Sequence, residues 1–258
     1  MATEPPTNLP LFYKNLVPLQ NGVHNRFRSR TDSKAPFLAK AHAVPLTVDE
    51  FVFAQRHLPI VFSSGDSPVP LALFGLNEGV NVFVEEDGTL RQNIYVPAYV
   101  RRYPFMLARL RPEADELSLC FDPDSDLVGE FDDGMPLFDG EKPSENTNGI
   151  LKFCEEFEMS AQRTTAFLKE LKDLDLLMDG EVAIQLVQEE QPFVYRGFQM
   201  VSEEKLRELR GDTLRKLNQN GILPLIMAHL FSLSLVRDVF GLQATMGLVP
   251  GYTLPKAN

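Results

Sequence analysis

The sequence predicts an α+β fold, with an antiparallel, meander-type sheet in the N-terminal half packed with helices drawn mostly from the C-terminal half. Three observations lead there. Strand-like runs such as Ile60-Val61-Phe62 and Val69 to Phe74 follow one another too closely for parallel crossovers, which need about a dozen residues or more. From Ser144 onward, apolar residues recur every three to four positions, the period of a helix with one buried stripe. Strands gathered early and helices late mark α+β rather than an alternating α/β chain. A chain of 258 residues, 44% hydrophobic and 24% charged, is long enough to bury one sizeable core.

The elements follow in order. Residues 1–8 are rich in Pro and Thr and read as a flexible tail. Short strands are expected around Leu16-Val17 and Phe27. Thr47 and Glu50 have the spacing of a capping box, which opens a short helix through Phe51, Phe53 and Ala54 before Pro59. Ile60 to Phe62, Val69 to Phe74 and Val80 to Val84 read as three strands, with the turn-rich Ser63 to Pro68 between the first two. Pro97 suits a first helical turn and Pro104 stops it. Phe105 to Arg109 and Leu117 to Phe121 form a further strand pair. The stretch from Asp122 to Asn148, dense in Asp, Gly, Pro and Glu, reads as mostly loop.

A long helix then carries Ile150, Cys154, Phe157, Ala161, Phe167 or Leu168, Leu171 and Leu174 on one stripe. Gly180 is expected to end that region. Val182 to Val187 and Phe193 to Tyr195 form a hairpin around residues 188–191. Ser202 caps a helix with Glu203 and Glu204 in its first turn, where they favour the dipole. Helices at about 212–219 and 222–239 follow, punctuated by Gly211 and Gly221, and 241–258 reads as a C-terminal tail. The hairpin returns to the β layer, so 9–240 is expected to form a single domain; a split near Asp139 is the alternative.

Lys+Arg 25 against Asp+Glu 36 leaves a net charge of −11, which disfavours a phosphate-binding surface and hence a nucleic-acid partner. Cys120 and Cys154 each lie in an apolar stretch outside any C-x-x-C pair and read as buried thiols. The N-terminus has neither the basic nor the apolar region of a signal peptide, so a cytoplasmic location is expected, with the cell surface by a route without a cleaved signal as the alternative. The longest apolar run, Ile222 to Val236, is interrupted by Pro224, His229, Ser232 and Ser234. As a helix it spans about 22 Å, short of a bilayer core of about 30 Å, and reads as a core helix, not a membrane span.

None of His24, His42, His57 and His229 sits in H-x-D/E or H-E-x-x-H, and no P-loop, G-x-G-x-x-G or G-x-S-x-G occurs, so no cofactor is expected. His229 reads as a hydrogen-bonded core imidazole and His57 as a cation at a helix C-terminus. Gly65-Asp66-Ser67 after a strand resembles the nucleophile block of GDS-type hydrolases, but no Asp precedes His229 at the spacing that mechanism needs. Asp122, Asp124, Asp126, Glu130 and Asp133 stand at positions 1, 3, 5, 9 and 12 of a loop, the spacing of an EF-hand calcium loop. Leu127 replaces its turn glycine and Asp133 its bidentate Glu, which leaves a weak calcium candidate beside the reading as a solvated acidic loop. Tyr99, Arg101, Arg102 and Tyr103 make a dense cationic-aromatic cluster suited to a carboxylate or peptide partner, unless the arginines pair with internal acids.

Several strings together resemble the SapC family of bacterial proteins: Leu58-Pro59-Ile60-Val61-Phe62, Pro70 to Leu76, Asn81 to Val84, Tyr95-Val96-Pro97-Ala98-Tyr99-Val100-Arg101-Arg102-Tyr103-Pro104-Phe105, Leu119 to Asp122, Gly134 to Asp139, Gly197 to Glu204 and Ala228 to Leu233. The resemblance covers about 9–240. It implies a role named for a paracrystalline bacterial surface layer. It also implies neighbours such as tryptophan-halogenase-like proteins, cupin-like proteins and TonB-dependent receptors, and it supplies no catalytic residues. The expected function is a non-catalytic binding or accessory protein with a protein or peptide partner. The alternative is an enzyme or enzyme partner in peptide or small-molecule modification, which requires His57, His229, Tyr99 or Arg101 to converge with carboxylates in a pocket.

Overall fold

The computed structural model describes residues 9–31, 34–85, 87–111, 116–186 and 191–252. The expected tail at 1–8, Glu86, the hairpin tip at 188–190 and the last residues from 253 lie outside them. By its contacts the chain divides into two compact units, one joining 1–34 to 99–159 and the other joining 35–98 to 160–258. The helix Glu145–Asp173 passes from the first to the second at Met159–Ser160.

The larger unit holds an open five-stranded antiparallel sheet, in the order Leu177–Ile184, Phe193–Val201, Ile60–Ser63, Pro70–Leu73, Ala43–Pro45. The helix Ile222–Ser232 lies on its central strands. Phe51, Phe62, Leu58, Leu171, Leu176 and Ile226 are fully buried in this unit. The rings of Phe51 and Phe62 pack on Phe167 at 5.8 and 6.3 Å. The helical stripe turns Phe167 and Leu171 inward as expected, but its line also carries buried Ser160 and Thr164.

Four local expectations change. Val80 to Val84 is not a strand. Its backbone keeps scattered bonds, such as Val82 N–H to Phe74 O and an isolated bridge of Val84 with Leu90, while the Asn81 side-chain amide donates to Leu38 O and Ala41 O and its oxygen accepts from Phe83 N–H. The third early strand is instead Ala43–Pro45. Gly180 does not end an element but sits inside the strand Leu177–Ile184, at a bulge. The Phe198 ring lies over it so closely that a Cβ would meet Phe198 Cε2 at 2.1 Å. The last helix runs through Gly241 to Thr245, because Phe240, Gln243 and Ala244 face inward. Val249 is buried beyond it, so 241–252 packs against Ile184 and Phe240 and does not trail as a tail.

The smaller unit is built from short pieces. One sheet orders Val17–Pro18, Ser118–Phe121 and Phe105–Ala108; another orders Val128–Gly129, Arg28–Ser29 and Met135–Pro136. Phe138–Asp139 pairs with Lys142–Pro143. The acidic stretch expected to be loop therefore holds four two-residue strands. Phe105, Phe121, Val128, Leu137, Phe138 and Cys154 form its core. Gly134 has φ +90°, and a Cβ there would stand 2.6 Å from Ser29 O, so the turn before Met135 admits only glycine without a shift.

In the larger unit one imidazole closes a gap in the sheet. Phe198 pairs with Ser63 and Gln199 with Phe62; the same register carried on would set Val201 opposite Ile60, but the strands part before that. The ring of His229 stands between them. Its Nδ1 lies 2.8 Å from Ile60 O, and its Nε2 accepts from Val201 N–H at 3.1 Å. A carbonyl only accepts, so Nδ1 carries the proton and the ring is neutral. Ser232 Oγ accepts from Ile60 N–H at 2.9 Å and donates to His229 O at 2.6 Å. Burial pushes the His229 pKa down to about 4, although its bond to the Ile60 carbonyl acts in the opposite sense.

Unfolded, His229 titrates near 6.5; folded, near 4. The unfolded chain therefore binds a proton first as pH falls. The stability that neutral His229 contributes is full above about 6.5 and is lost as pH drops to about 4, by about 3 kcal/mol in all. His229→Gln keeps a donor and an acceptor but cannot titrate, so the loss of stability between pH 7 and 5 in urea unfolding should be shallower than in the wild type. His229→Leu leaves Ile60 O and Val201 N–H unpaired and should cost about 2–5 kcal/mol at pH 7.

Candidate functional site

The sequence-derived cluster sits in the smaller unit on the helical turn Ala98–Arg101 and the residues after it. Its members separate by exposure. Tyr99 and Arg102 are buried at 6% each, Tyr103 is half-buried and Arg101 is exposed. The Arg102 guanidinium lies between two rings, 4.6 Å from Tyr99 and 4.0 Å from Phe157. Its Nη1 is 3.5 Å from Glu158 Oε1, and its Nε has no hydrogen-bond partner among the described residues. Burial raises the Glu158 pKa more than neighbouring Arg102 lowers it. The Tyr99 hydroxyl donates to Leu11 O at 3.1 Å and the Tyr13 hydroxyl to Phe105 O at 2.7 Å. Tyr103 meets Tyr13 edge-on at 5.3 Å. Arg102 and Tyr99 thus form an internal support, and Arg101, 5.2 Å from the Phe153 ring, carries its charge at the surface.

Three carboxylates of the acidic loop have partners on the N-terminal segment. Asp122 is fully buried and accepts from Lys14 N–H at 2.7 Å and Asp124 N–H at 2.9 Å. Glu130 pairs with Arg26 and Asp133 with Arg30, while Asp124 and Asp126 are exposed. Among the described residues, no three His, Cys, Asp or Glu side chains are grouped to hold a metal ion. Asp66 and Ser67 lie exposed on the turn before Pro70–Leu73. Both ring nitrogens of His229 are engaged by backbone groups, so it offers a substrate neither a base nor an acid. His57 is half-buried just after the helix Phe51–Ala54, with its N–H on Ala54 O.

The capping-box acid does more than the sequence pattern implied. Glu50, 5% exposed, accepts from Thr47 N–H and Thr47 Oγ1 and also from the Tyr95 hydroxyl at 3.0 Å and Ala98 N–H at 2.6 Å. A buried carboxylate with four donors ties the helix entry to the segment 95–98.

Sequence reasoning missed two surface features of the larger unit. The helices Phe51–Ala54 and Ile222–Ser232 lie side by side. Val52, Phe53 and Phe231 on them are 44%, 56% and 62% exposed. A hollow of about 430 Å³ also opens between the end of strand Leu177–Ile184 and the last helix. Interior Gly241 and Arg237, which follows a run without charge from Ile222 to Val236, were the available signals for it.

The helical stretch Ile222–Thr245, 24 residues long, is long and apolar enough to cross a membrane, because the helix continues past the run considered alone. Its buried polar groups tie it to the sheet unit: His229 and Ser232 as above, and Gln243, which accepts from Leu76 N–H and donates to Asn77 Oδ1 and Leu248 O.

The molecule is thus an α+β protein whose open antiparallel sheet, built mainly from N-terminal strands, packs against helices concentrated in the C-terminal half. The chain belongs to the SapC family, whose model matches residues 19–239. No curated protein and no solved structure matches it.

Two outcomes test the placement of these side chains. Arg102→Ala should destabilise the protein by about 1–3 kcal/mol, mainly because it removes a buried guanidinium packed between two rings, while Glu158 keeps contact with water. Arg101→Ala, at an exposed side chain, should cost less than Arg102→Ala in the same denaturant titration. Burial raises the thiol pKa of Cys120 and Cys154 to about 11, so neither should react with a thiol reagent at pH 8 until the protein is unfolded.

Proposed function

We propose that the protein is a non-catalytic SapC-family accessory protein that holds a protein or peptide partner, in the setting of a bacterial surface layer or an outer-membrane uptake system. In this reading it acts in the cytoplasm, and the helix Ile222–Thr245 stays with its own sheet. The observation that carries the proposal is the exposed apolar surface of the larger unit. Two adjacent helices present Val52, Phe53 and Phe231 to solvent, and the helix behind them is held by three fully buried polar side chains. Exposed aromatic side chains backed by a fixed helix are suited to a protein interface. For the helix to enter a bilayer instead, His229, Ser232 and Gln243 would have to give up their bonds to the sheet and loops, at several kcal/mol. On the smaller unit, Arg101 is proposed as a contact for an acidic group of the partner, with Arg102 and Tyr99 as its support.

The test is photocrosslinking in the native bacterium, with the photoreactive residue at position 231, at position 101, or at exposed Asn220 as the control. One protein should be captured from 231, with loss of the adduct in Phe53→Ser protein. Phe231→Ser should weaken partner binding by about thirtyfold or more while moving stability by no more than about 0.5 kcal/mol. Adducts no different from those at Asn220, or adducts with lipid alone, would remove the proposal.

A further inference from the structure

We infer that the hollow beside the last helix is a binding site for a small amphiphilic carboxylate, with the Arg237 guanidinium as the anion contact. The volume, about 430 Å³, lies at the lower end of the range for small-molecule pockets, about 300–1,000 Å³, and so fits a modest ligand. Ile184, Leu186, Phe240, Ala244 and Tyr252 give it apolar walls. Phe240 and Tyr252 are part of an aromatic group with Phe193, whose ring lies 5.2 Å from Phe240 and 5.7 Å from Tyr252.

Two features point to a ligand and not to a packing defect. The first is charge. Arg237 lines the hollow and, among the described residues, has no ion pair or hydrogen bond to an acid. In a chain with 36 acids against 25 basic residues, an arginine without an acid beside an apolar hollow leaves a guanidinium fork open to a carboxylate. The Tyr252 hydroxyl, also without a hydrogen-bond partner among the described residues, is a second donor on the same hollow.

The second feature is Gly241. It lies in the interior of the helix Val236–Thr245, where glycine costs about 0.5–1 kcal/mol relative to alanine. Its φ is not positive, and a Cβ built on it would meet nothing within 4 Å, so neither backbone geometry nor packing asks for glycine. What its missing side chain leaves is room in the wall of the hollow. The ligand chemistry follows from the walls: an apolar body for the aliphatic and aromatic lining, and one carboxylate for Arg237. The site is independent of the protein-partner surface proposed above.

The test uses octanoate as the probe and 1-octanol as its uncharged match, with calorimetry and amide chemical shifts on the full chain. Octanoate should bind at one site and shift 183–186 and 237–244, with 1-octanol weaker by about tenfold. Arg237→Gln should weaken octanoate by about tenfold and leave 1-octanol unchanged. Gly241→Leu should abolish binding of both while the melting temperature is kept or raised. Equal binding of octanoate and 1-octanol, shifts elsewhere, or no saturation at millimolar probe would overturn the inference. So would binding that appears only after removal of residues 253–258, since the chain itself would then be the occupant.

Discussion

The larger unit depends on a neutral imidazole lodged where two strands of its sheet part company. Antiparallel strands twist and diverge, and every divergence in a buried sheet leaves an amide and a carbonyl without partners. His229 meets both, accepting from Val201 and donating to Ile60, while Ser232 takes the Ile60 N–H one turn further along the same helix. Two side chains on one helical turn therefore fix where that helix sits on the sheet and in which rotation about its axis. An apolar contact could slide by a fraction of a turn at little cost. A hydrogen bond at 2.8 Å in a dry interior cannot, because an unmade bond there exposes the full desolvation penalty.

From this follows the character of the helix Ile222–Ser232. Its composition is nearly as apolar as a membrane segment, but its buried side chains include polar His229 and Ser232 beside Ile226, while Phe231 is left in water. That mixture separates it from an ordinary core helix, whose covered face is apolar throughout. It gives the surface chemistry something to explain, and a protein interface does so without breaking the bonds that hold the helix. Gln243 continues the same logic into the last helix by anchoring the loop at 76–77 and the turn at 248, and so holds in place the helix that walls the hollow.

The smaller unit shows the other use of polar residues. Arg102 is buried between rings with its charge answered by one acid at 3.5 Å, an arrangement that specifies a geometry more than it adds stability. Around it the arginines of the N-terminal segment pair with acids of the 122–148 stretch, as Arg26 does with Glu130 and Arg30 with Asp133. These pairs are exposed and contribute little each. Three of the five carboxylates at calcium-loop spacing have such uses: Glu130 and Asp133 pair with arginines about a hundred residues away, and Asp122 accepts from Lys14 and its own turn.

Local chemistry was readable in the chain wherever a few neighbouring residues decide the outcome. Thr47 with Glu50, Ser202 before two glutamates, Pro97 before a helical turn and the apolar period after Ser144 each act within one turn, so the pattern is the physics. The family resemblance and the α+β class were legible for the same reason, since both rest on runs of adjacent residues. What the chain alone could not decide depends on residues far apart in it. Asn81 in a strand-like run bonds Leu38 and Ala41 instead of a neighbouring strand; Gly180 is a strand residue through its pairing with Phe198; inward-facing Phe240 and Ala244 carried a helix past Gly241. The hollow beside the last helix, the exposed aromatic side chains and the placement of His229 belong to that second group. Each is created by two segments meeting, and the free energy that selects the meeting is that of the assembled core, to which no single stretch of sequence holds the key.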